Sequence, residues 1–118
     1  GNLWFGFYNG GLVKFSNGRF TDFSKAEGLP KGGVFGLYAD EKGRLWIGAS
    51  RDGVVRVDNP SAEKLTFQPY TTNEGLISNN VRSLIGDLQG NIYAGTVRGI
   101  SRISPDSGNI RHYTTADG

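Results

Sequence analysis

One hexad occurs three times in this chain, and its spacing restricts the possible folds more than any other feature. It reads Gly-Asn-Leu-Trp-Phe-Gly at residues 1–6, Gly-Arg-Leu-Trp-Ile-Gly at 43–48 and Gly-Asn-Ile-Tyr-Ala-Gly at 90–95. Successive copies therefore begin 42 and 47 residues apart. A period of this length holds four short strands with their turns, which is the period of a propeller blade. The hexad thus predicts a repeat architecture built of such blades.

The composition agrees with an all-β chain of short strands. The 118 residues include 19 glycines and no methionine, and 12% of them are aromatic. Glycine at this density, without a collagen-like period and between short β-branched and aromatic runs, is typical of many tight turns. The hydrophobic fraction of 36% is low for a large core, but it is compatible with a chain rich in turns.

Other positions repeat together with the hexad and predict four antiparallel strands per blade. A Gly-apolar-x-basic-apolar segment follows each copy, at residues 11–15, 53–57 and 99–103. An outer strand that ends in an aromatic residue comes next, and a glycine lies five residues beyond it, at Gly28, Gly75 and Gly118. Mostly apolar segments precede the second and third hexads, near 33–39 and 80–86, and the pattern favours inner strands that are buried on both faces.

The expected fold is therefore all-β, a β-propeller arc with four antiparallel strands per blade. The first copy lacks its inner strand, so the count is three, four and four strands, or about two and three-quarter blades of a larger ring. We predict one propeller segment over residues 1–118, with a partial repeat at 1–32 and complete repeats at 33–79 and 80–118. An arc has open blade faces and strand edges at both ends. Either the remaining blades or further copies of the chain could cover them.

Several repeated residues have simple structural interpretations. Trp4, Trp46 and Tyr93 share one register, where an aromatic ring could fill the wedge between blades or, alternatively, stack on a sugar or a base. Asp40 and Asp87 precede the hexads by three residues, where a carboxylate can accept hydrogen bonds from backbone N–H groups two or three residues on. We favour packing for the aromatic residues and turn closure for the acids.

Charge and residue content argue against several classes of function. The formal net charge is only +2, and the basic residues are scattered, so no nucleic-acid footprint is expected. The chain has no cysteine, which excludes disulfides, thiolate metal sites and thiol nucleophiles. We predict no cofactor, no metal site and no catalytic residue. The sequence also contains no apolar run of membrane-spanning length and no signal peptide.

The repeat resembles the two-component regulator propeller repeat, most clearly in Glu-Gly-Leu-Pro at 27–30 and Asp-Glu-Lys-Gly-Arg-Leu-Trp-Ile-Gly at 40–48. Tyr93, Ala94 and Phe5 depart from the usual residues of that pattern. The resemblance implies a seven-bladed propeller, often one of two in tandem, in the periplasmic or extracellular part of a membrane-anchored bacterial receptor. Such receptors form dimers and continue into a histidine kinase or a diguanylate cyclase, and several respond to carbohydrates. It implies no catalytic residue in the propeller itself.

Three functional hypotheses follow. The first is a sensory module that binds a carbohydrate or another small polar ligand on loops at one end of the blades; the candidate residues are Tyr8, Arg51, Asp52, Asn79, Asn80 and Arg98. The second is an enzyme, because the third copy is also similar to streptogramin lyase repeats, although the single His112 falls in an outer strand. The third is a propeller scaffold for protein–protein interaction.

Overall fold

The computed structural model describes residues 2–114 as eleven β-strands and one short 3-10 helix. Gly1 and Gly118, which open the first hexad and close the third copy, lie outside the described residues. The helix spans Thr72–Glu74. The strands are β1 (Leu3–Gly6), β2 (Leu12–Ser16), β3 (Arg19–Asp22), β4 (Val34–Ala39), β5 (Leu45–Ala49), β6 (Gly53–Val57), β7 (Gln68–Tyr70), β8 (Val81–Gly86), β9 (Ile92–Thr96), β10 (Gly99–Ile103) and β11 (Ile110–Tyr113).

The strands form three antiparallel sheets that follow the chain in order. The first sheet is β1-β2-β3, the second β4-β5-β6-β7 and the third β8-β9-β10-β11. The inner strand β4 packs against β1 on one side and against β8 on the other. The predicted all-β arc of three, four and four strands is therefore confirmed. The number of blades in a complete ring stays a prediction.

Two hydrophobic cores lie between the sheets, and β5 contributes to both of them. Leu45 and Ile47 belong to the core shared with the first sheet, whereas Trp46 belongs to the core shared with the third sheet. All three side chains are buried. Successive residues of a strand point to opposite faces, so one strand supplies two interfaces. The interpretation of the tryptophan register as a wedge between blades is correct for Trp46.

Basic residues of β2 and β6 lie against the aromatic residues of the hexad in the first two sheets. The Lys14 Nζ lies 5.6 Å from the Trp4 ring centroid, and the Arg56 guanidinium carbon lies 5.9 Å from that of Trp46. Arg56 also donates a hydrogen bond to the Tyr70 hydroxyl at 2.7 Å. These cations act as packing residues with charged ends.

The prediction that both inner strands are buried on both faces is wrong for β8. Val81 is fully buried against the second sheet, but Arg82 and Ser83 are exposed and Ile85 is 64% exposed. The face of β8 that points away from the second sheet has no packing partner among residues 2–114. The equivalent strand β4 is better covered because it has a sheet on each side.

Candidate functional site

Loops at one end of the strands are held in place by backbone hydrogen bonds. Val34 N–H donates to the Phe7 carbonyl at 2.9 Å, and this bond joins the second sheet to the first. Ser50 N–H donates to the Gly33 carbonyl at 2.9 Å, and Val97 N–H donates to the Asn80 carbonyl at 3.3 Å. The last two bonds connect the start of an inner strand to the turn between the next two strands of the same sheet. The resulting rim is a continuous surface across the three sheets.

Two glycines allow the first two sheets to approach closely at this rim. A Cβ atom on Gly33 would overlap the Tyr8 carbonyl oxygen, and one on Gly32 would lie 2.8 Å from the Ser50 Oγ. The Gly32 N–H donates to Asp52 Oδ2 at 2.9 Å, and the Gly33 N–H donates to the Ser50 Oγ at 3.1 Å. Glycine is needed here for close backbone approach and not for a left-handed backbone angle.

A groove of about 370 Å³ lies on this rim and crosses all three sheets. Its volume is at the lower end of the range for small-molecule sites. The lining residues combine two aromatic rings, three cations and several small or polar groups: Tyr8, Asn9, Lys31, Gly32, Gly33, Phe35, Ser50, Arg51 and Arg82. The first sheet contributes Tyr8, the second contributes Phe35 and Arg51, and the third contributes Arg82.

Aromatic and cationic groups are in direct contact in the groove. The Tyr8 and Phe35 rings meet edge to face, with centroids 5.8 Å apart and an interplanar angle of 84°. The Arg82 guanidinium carbon lies 4.9 Å from the Phe35 centroid, which is within cation–π distance. Arg82 Nε donates to Asn80 Oδ1 at 2.9 Å. Phe35 therefore contacts one side chain from each neighbouring sheet, Tyr8 from the first and Arg82 from the third.

The groove carries a locally positive charge. Its lining includes Lys31, Arg51 and Arg82 but no acidic residue. The nearby carboxylate of Asp52 accepts the Gly32 N–H and so takes part in holding the rim together. Three cations within one concave surface raise the local concentration of anions.

The structure brings together some of the loop residues that the sequence suggests for binding. Tyr8, which is 76% exposed, and Arg51 both line the groove. Asp52 and Asn79 have structural partners instead, since Asn79 Oδ1 accepts from Thr72 N–H at 2.8 Å. Asn80 orients Arg82. Arg98 is exposed and does not line the groove. The role of these six residues in binding stays a prediction.

Sequence reasoning missed Phe35 and Arg82, although a signal for them exists. The two residues occupy the same position of their repeats, because each follows the first valine of its inner strand (Val34 and Val81). Repeated positions in this chain maintain packing, so a position that changes from aromatic to cationic between copies stands out. The sequence-based prediction places ligand contacts in loops only, so it does not include these inner-strand residues.

The opposite end of the strands contains the two repeated aspartates, in the same arrangement. Asp40 Oδ1 accepts from the N–H groups of Lys42 at 3.0 Å and Arg44 at 2.9 Å, and its Oδ2 accepts from Arg44 Nε at 2.7 Å and Trp46 Nε1 at 2.8 Å. The backbone donors lie two and four residues on, rather than the predicted two or three. Burial raises the pKa of Asp40, but these hydrogen bonds outweigh it, so the net pKa lies below its ordinary value.

Asp87 repeats this arrangement with weaker partners. It accepts from the N–H groups of Gln89 and Asn91, both at 2.9 Å, and from the Tyr93 hydroxyl at 2.9 Å. Burial raises the pKa of Asp87, but the hydrogen bonds from Asn91, Tyr93 and Gln89 together lower it. The hydrogen bond to Asp87 in turn raises the pKa of Tyr93. A cavity of about 270 Å³ lies between the two acidic turns. Asp40 and Asp87 in its lining already accept hydrogen bonds from backbone N–H groups and from the side chain of Trp46 or Tyr93.

Other features that could carry chemistry are few. His112 is exposed on the outer strand β11, where its Nε2 is hydrogen-bonded to the Gly75 carbonyl. Within residues 2–114 no three His, Cys, Asp or Glu side chains come close enough to hold a metal ion. In the same part of the chain, no helix has the length and apolar character to span a membrane.

Comparison with known proteins identifies the repeat. Residues 28–51 match the family model described as two component regulator propeller. These residues include β4, the Asp40 turn and β5, which confirms the resemblance drawn from the hexad. No curated protein matches the chain.

Solved structures match nearly the whole chain. One is the extracellular domain of a protein described as a hybrid two component system, BT3049 from B. thetaiotaomicron, with a TM-score of 0.82 and 27% identity over 99% of this chain and 16% of that chain. A second is the extracellular domain of a one component system, BT4673 from the same organism, with a TM-score of 0.79 and 19% identity over 98% of this chain and 17% of that chain.

A third similar structure has a different role. PorZ, a surface component of the type-IX secretion system of Porphyromonas gingivalis, has a TM-score of 0.70 and 13% identity over 100% of this chain and 20% of that chain. At this identity the likeness concerns the fold alone. The chain spans between a sixth and a fifth of the length of these structures.

Proposed function

We propose that this chain, which carries a two-component regulator propeller repeat, is a ligand-binding segment of the extracellular or periplasmic sensor of a bacterial receptor. The ligand is a small polar molecule of the carbohydrate class, and the segment carries out no chemistry of its own. The observation that supports the proposal is the groove formed by Tyr8, Phe35, Arg51 and Arg82. These side chains come from three sheets, and Tyr8, Phe35 and Arg82 occupy positions that differ between repeats in a chain whose repeated residues build the fold.

The physical properties of the groove suit a sugar. The Tyr8 ring is exposed, so one of its faces can cover the C–H side of a sugar ring. The guanidinium groups of Arg51 and Arg82 supply hydrogen-bond donors for hydroxyl groups. The Ser50 hydroxyl accepts from Gly33 N–H and retains its own proton for donation. A few placed polar groups beside an apolar surface are typical of small-molecule sites.

The receptor context is part of the same proposal. It is supported by the 27% identity to an extracellular domain of a two component system that covers 99% of this chain. In that setting the segment joins further blades of one propeller, and the receptor works as a dimer whose ligand changes the arrangement of two subunits. The output domain and the membrane segment belong to other parts of such a receptor.

The alternative of a lyase-like enzyme has weaker support. His112 is the single histidine of the chain, and it lies on the exposed outer strand, bonded to a backbone carbonyl, away from the groove residues. A role as a scaffold for other proteins can coexist with ligand binding.

A binding screen tests the proposal. The purified protein is titrated with a panel of neutral and acidic mono- and disaccharides, and melting temperature and heat of binding are recorded. We expect at least one sugar to bind, and Tyr8→Ala to weaken it at least tenfold because the stacking face is lost. His112→Ala is the control and should bind normally. Absence of any binding sugar, or a hit that is insensitive to Tyr8→Ala, would contradict the proposal.

A further inference from the structure

We infer that the groove selects a sugar that carries a carboxylate, and that Arg51 and Arg82 bind this acidic group. The inference rests on the proposed function, because it specifies the ligand class of the same groove. The whole chain has a formal net charge of only +2, with 13 basic and 11 acidic residues. The groove lining departs from this balance, since it contains three cations and no acid. The excess of positive charge is therefore local to the concave surface.

Arg82 is positioned by its neighbours for a further contact. The Arg82 guanidinium carbon lies over the Phe35 ring, 4.9 Å from its centroid, and Asn80 Oδ1 accepts from Arg82 Nε, one of the five N–H donors of the guanidinium. Both contacts restrict the side chain, so less conformational entropy is lost when an anion binds its remaining donors. A guanidinium group presents parallel N–H donors that match the two oxygens of a carboxylate.

Arg51 approaches the groove from a different element. It lies in the turn between β5 and β6, which is fixed through Ser50 and Asp52 to the glycines at 32 and 33. Asp52 is the only carboxylate in these contacts, and its Oδ2 already accepts the Gly32 N–H. Arg51 and Arg82 thus reach the same concave surface from two sheets, with Lys31 adding a third positive charge.

The aromatic part of the groove argues for a sugar acid over a simple inorganic anion. Tyr8 and Phe35 offer apolar ring surface beside the cations, and an inorganic anion would have no contact with that surface. A ring with apolar C–H groups and a carboxylate would contact both parts. An acidic peptide could contact them as well, so the experiment includes one.

The experiment compares an acidic oligosaccharide with its neutral ester and with an acidic peptide. Trigalacturonate, its fully methyl-esterified form and pentaglutamate are titrated into the full chain by calorimetry at low salt. We expect trigalacturonate to bind at least tenfold more tightly than its ester, and binding to weaken as NaCl rises from about 0.05 to 0.5 M. Arg51→Gln and Arg82→Gln should each weaken trigalacturonate about tenfold, because each removes a charged hydrogen bond.

The chain itself offers a matched control for the substitutions. Arg19 lies on β3, is exposed and lies outside the groove lining. Arg19→Gln changes the net charge by the same amount and should leave affinity unchanged. Circular dichroism melts establish that all three variants are folded.

The possible outcomes separate the two proposals. Equal binding of the ester and the acid, with both still sensitive to Tyr8→Ala, overturns the acidic ligand class and leaves the sugar sensor standing. Equal losses in Arg19→Gln and Arg51→Gln also overturn the inference, because the attraction would then be diffuse. Pentaglutamate binding as tightly as trigalacturonate overturns the choice of a sugar acid. If neither the galacturonates nor any sugar of the panel binds, both proposals are wrong.

Discussion

Replacing Asp40 by alanine tests whether the repeated aspartate supports the buried tryptophan of its blade. The Asp40 side chain is 7% exposed and accepts from Trp46 Nε1, Arg44 Nε and two backbone N–H groups. Trp46 is fully buried, so water cannot replace the lost acceptor at its indole N–H. A buried donor without a partner costs about 1–3 kcal/mol. The Arg44 side chain is 16% exposed, so it loses its carboxylate partner with partial compensation from water.

The expected loss for Asp40→Ala is therefore about 3 kcal/mol in the free energy of unfolding, with about 2 kcal/mol from the indole N–H and about 1 kcal/mol from the guanidinium. Lys42 is exposed, and water replaces the bond to its N–H at little cost. Urea unfolding followed by tryptophan fluorescence measures the change. With a slope of about 2 kcal/mol/M, the midpoint should fall by about 1.5 M, and the slope itself should stay the same.

Two variants make this measurement decisive. Asp106→Ala removes an acid whose side chain is 85% exposed and whose partner is Lys42, so it should not shift the urea midpoint measurably. In a Trp46→Phe background the indole donor is absent, and the cost of Asp40→Ala should drop by about 2 kcal/mol. An unchanged cost in that background, or a midpoint shift no larger than that of Asp106→Ala, would refute the reasoning.

Three further predictions concern acid, packing and a buried hydroxyl. The pKa of Asp40 lies below its ordinary value of 3.8, so its ionised form contributes stability above about pH 4 that is lost as the pH falls through the folded pKa. Urea midpoints measured from pH 7 down to about 2.5 should therefore decline below about pH 4. The decline should be less steep in Asp40→Asn, which lacks the titrating group. Gly33→Ala places a Cβ atom on the Tyr8 carbonyl and should lower the unfolding free energy by about 1–3 kcal/mol, whereas an unshifted thermal melt would show that the rim adapts freely. Ser101 is fully buried, and its Oγ accepts from Ile77 N–H at 3.0 Å. Ser101→Ala should therefore cost about 1–2 kcal/mol in urea unfolding, and faster hydrogen exchange at Ile77 should accompany it.

Much of the fold could be predicted because the repeat fixes strand order and register together. A short turn joins the hexad to the segment ending in Val57 or Ile103, so the two form a hairpin in which the aromatic residue of the first pairs with the basic residue of the second, as in Trp46–Arg56 and Tyr93–Arg102. The burial of Trp46 follows from the same register. The exposure of β8 could not be predicted, because burial depends on whether a neighbouring sheet is present.

The candidate site was only partly predictable, because it exists only where three sheets meet. Tyr8 and Arg51 could be proposed from the sequence as polar or aromatic residues of loops. Phe35 and Arg82 lie in strands, and their contact with each other depends on how closely β4 and β8 pack. The bond from Trp46 to Asp40 was missed for a related reason, since it runs from the middle of a strand to the turn before it. Contacts between strands and turns depend on how closely these elements pack, and the spacing of residues in the sequence does not give those distances.

Because alternate side chains of β5 belong to different cores, the register of this strand cannot shift by one residue. Deleting one residue before Trp46 would exchange the indole and its neighbour Ile47 between the two cores, and each core would receive a side chain of the wrong shape. The chain can therefore gain or lose residues only in the connections between strands, where side chains do not have to face a particular core. The five extra residues of the second repeat fall in the connection between β6 and β7, at residues 58–67, and none falls in a strand. Insertions in such a chain are expected in the connections, while the strands keep their register.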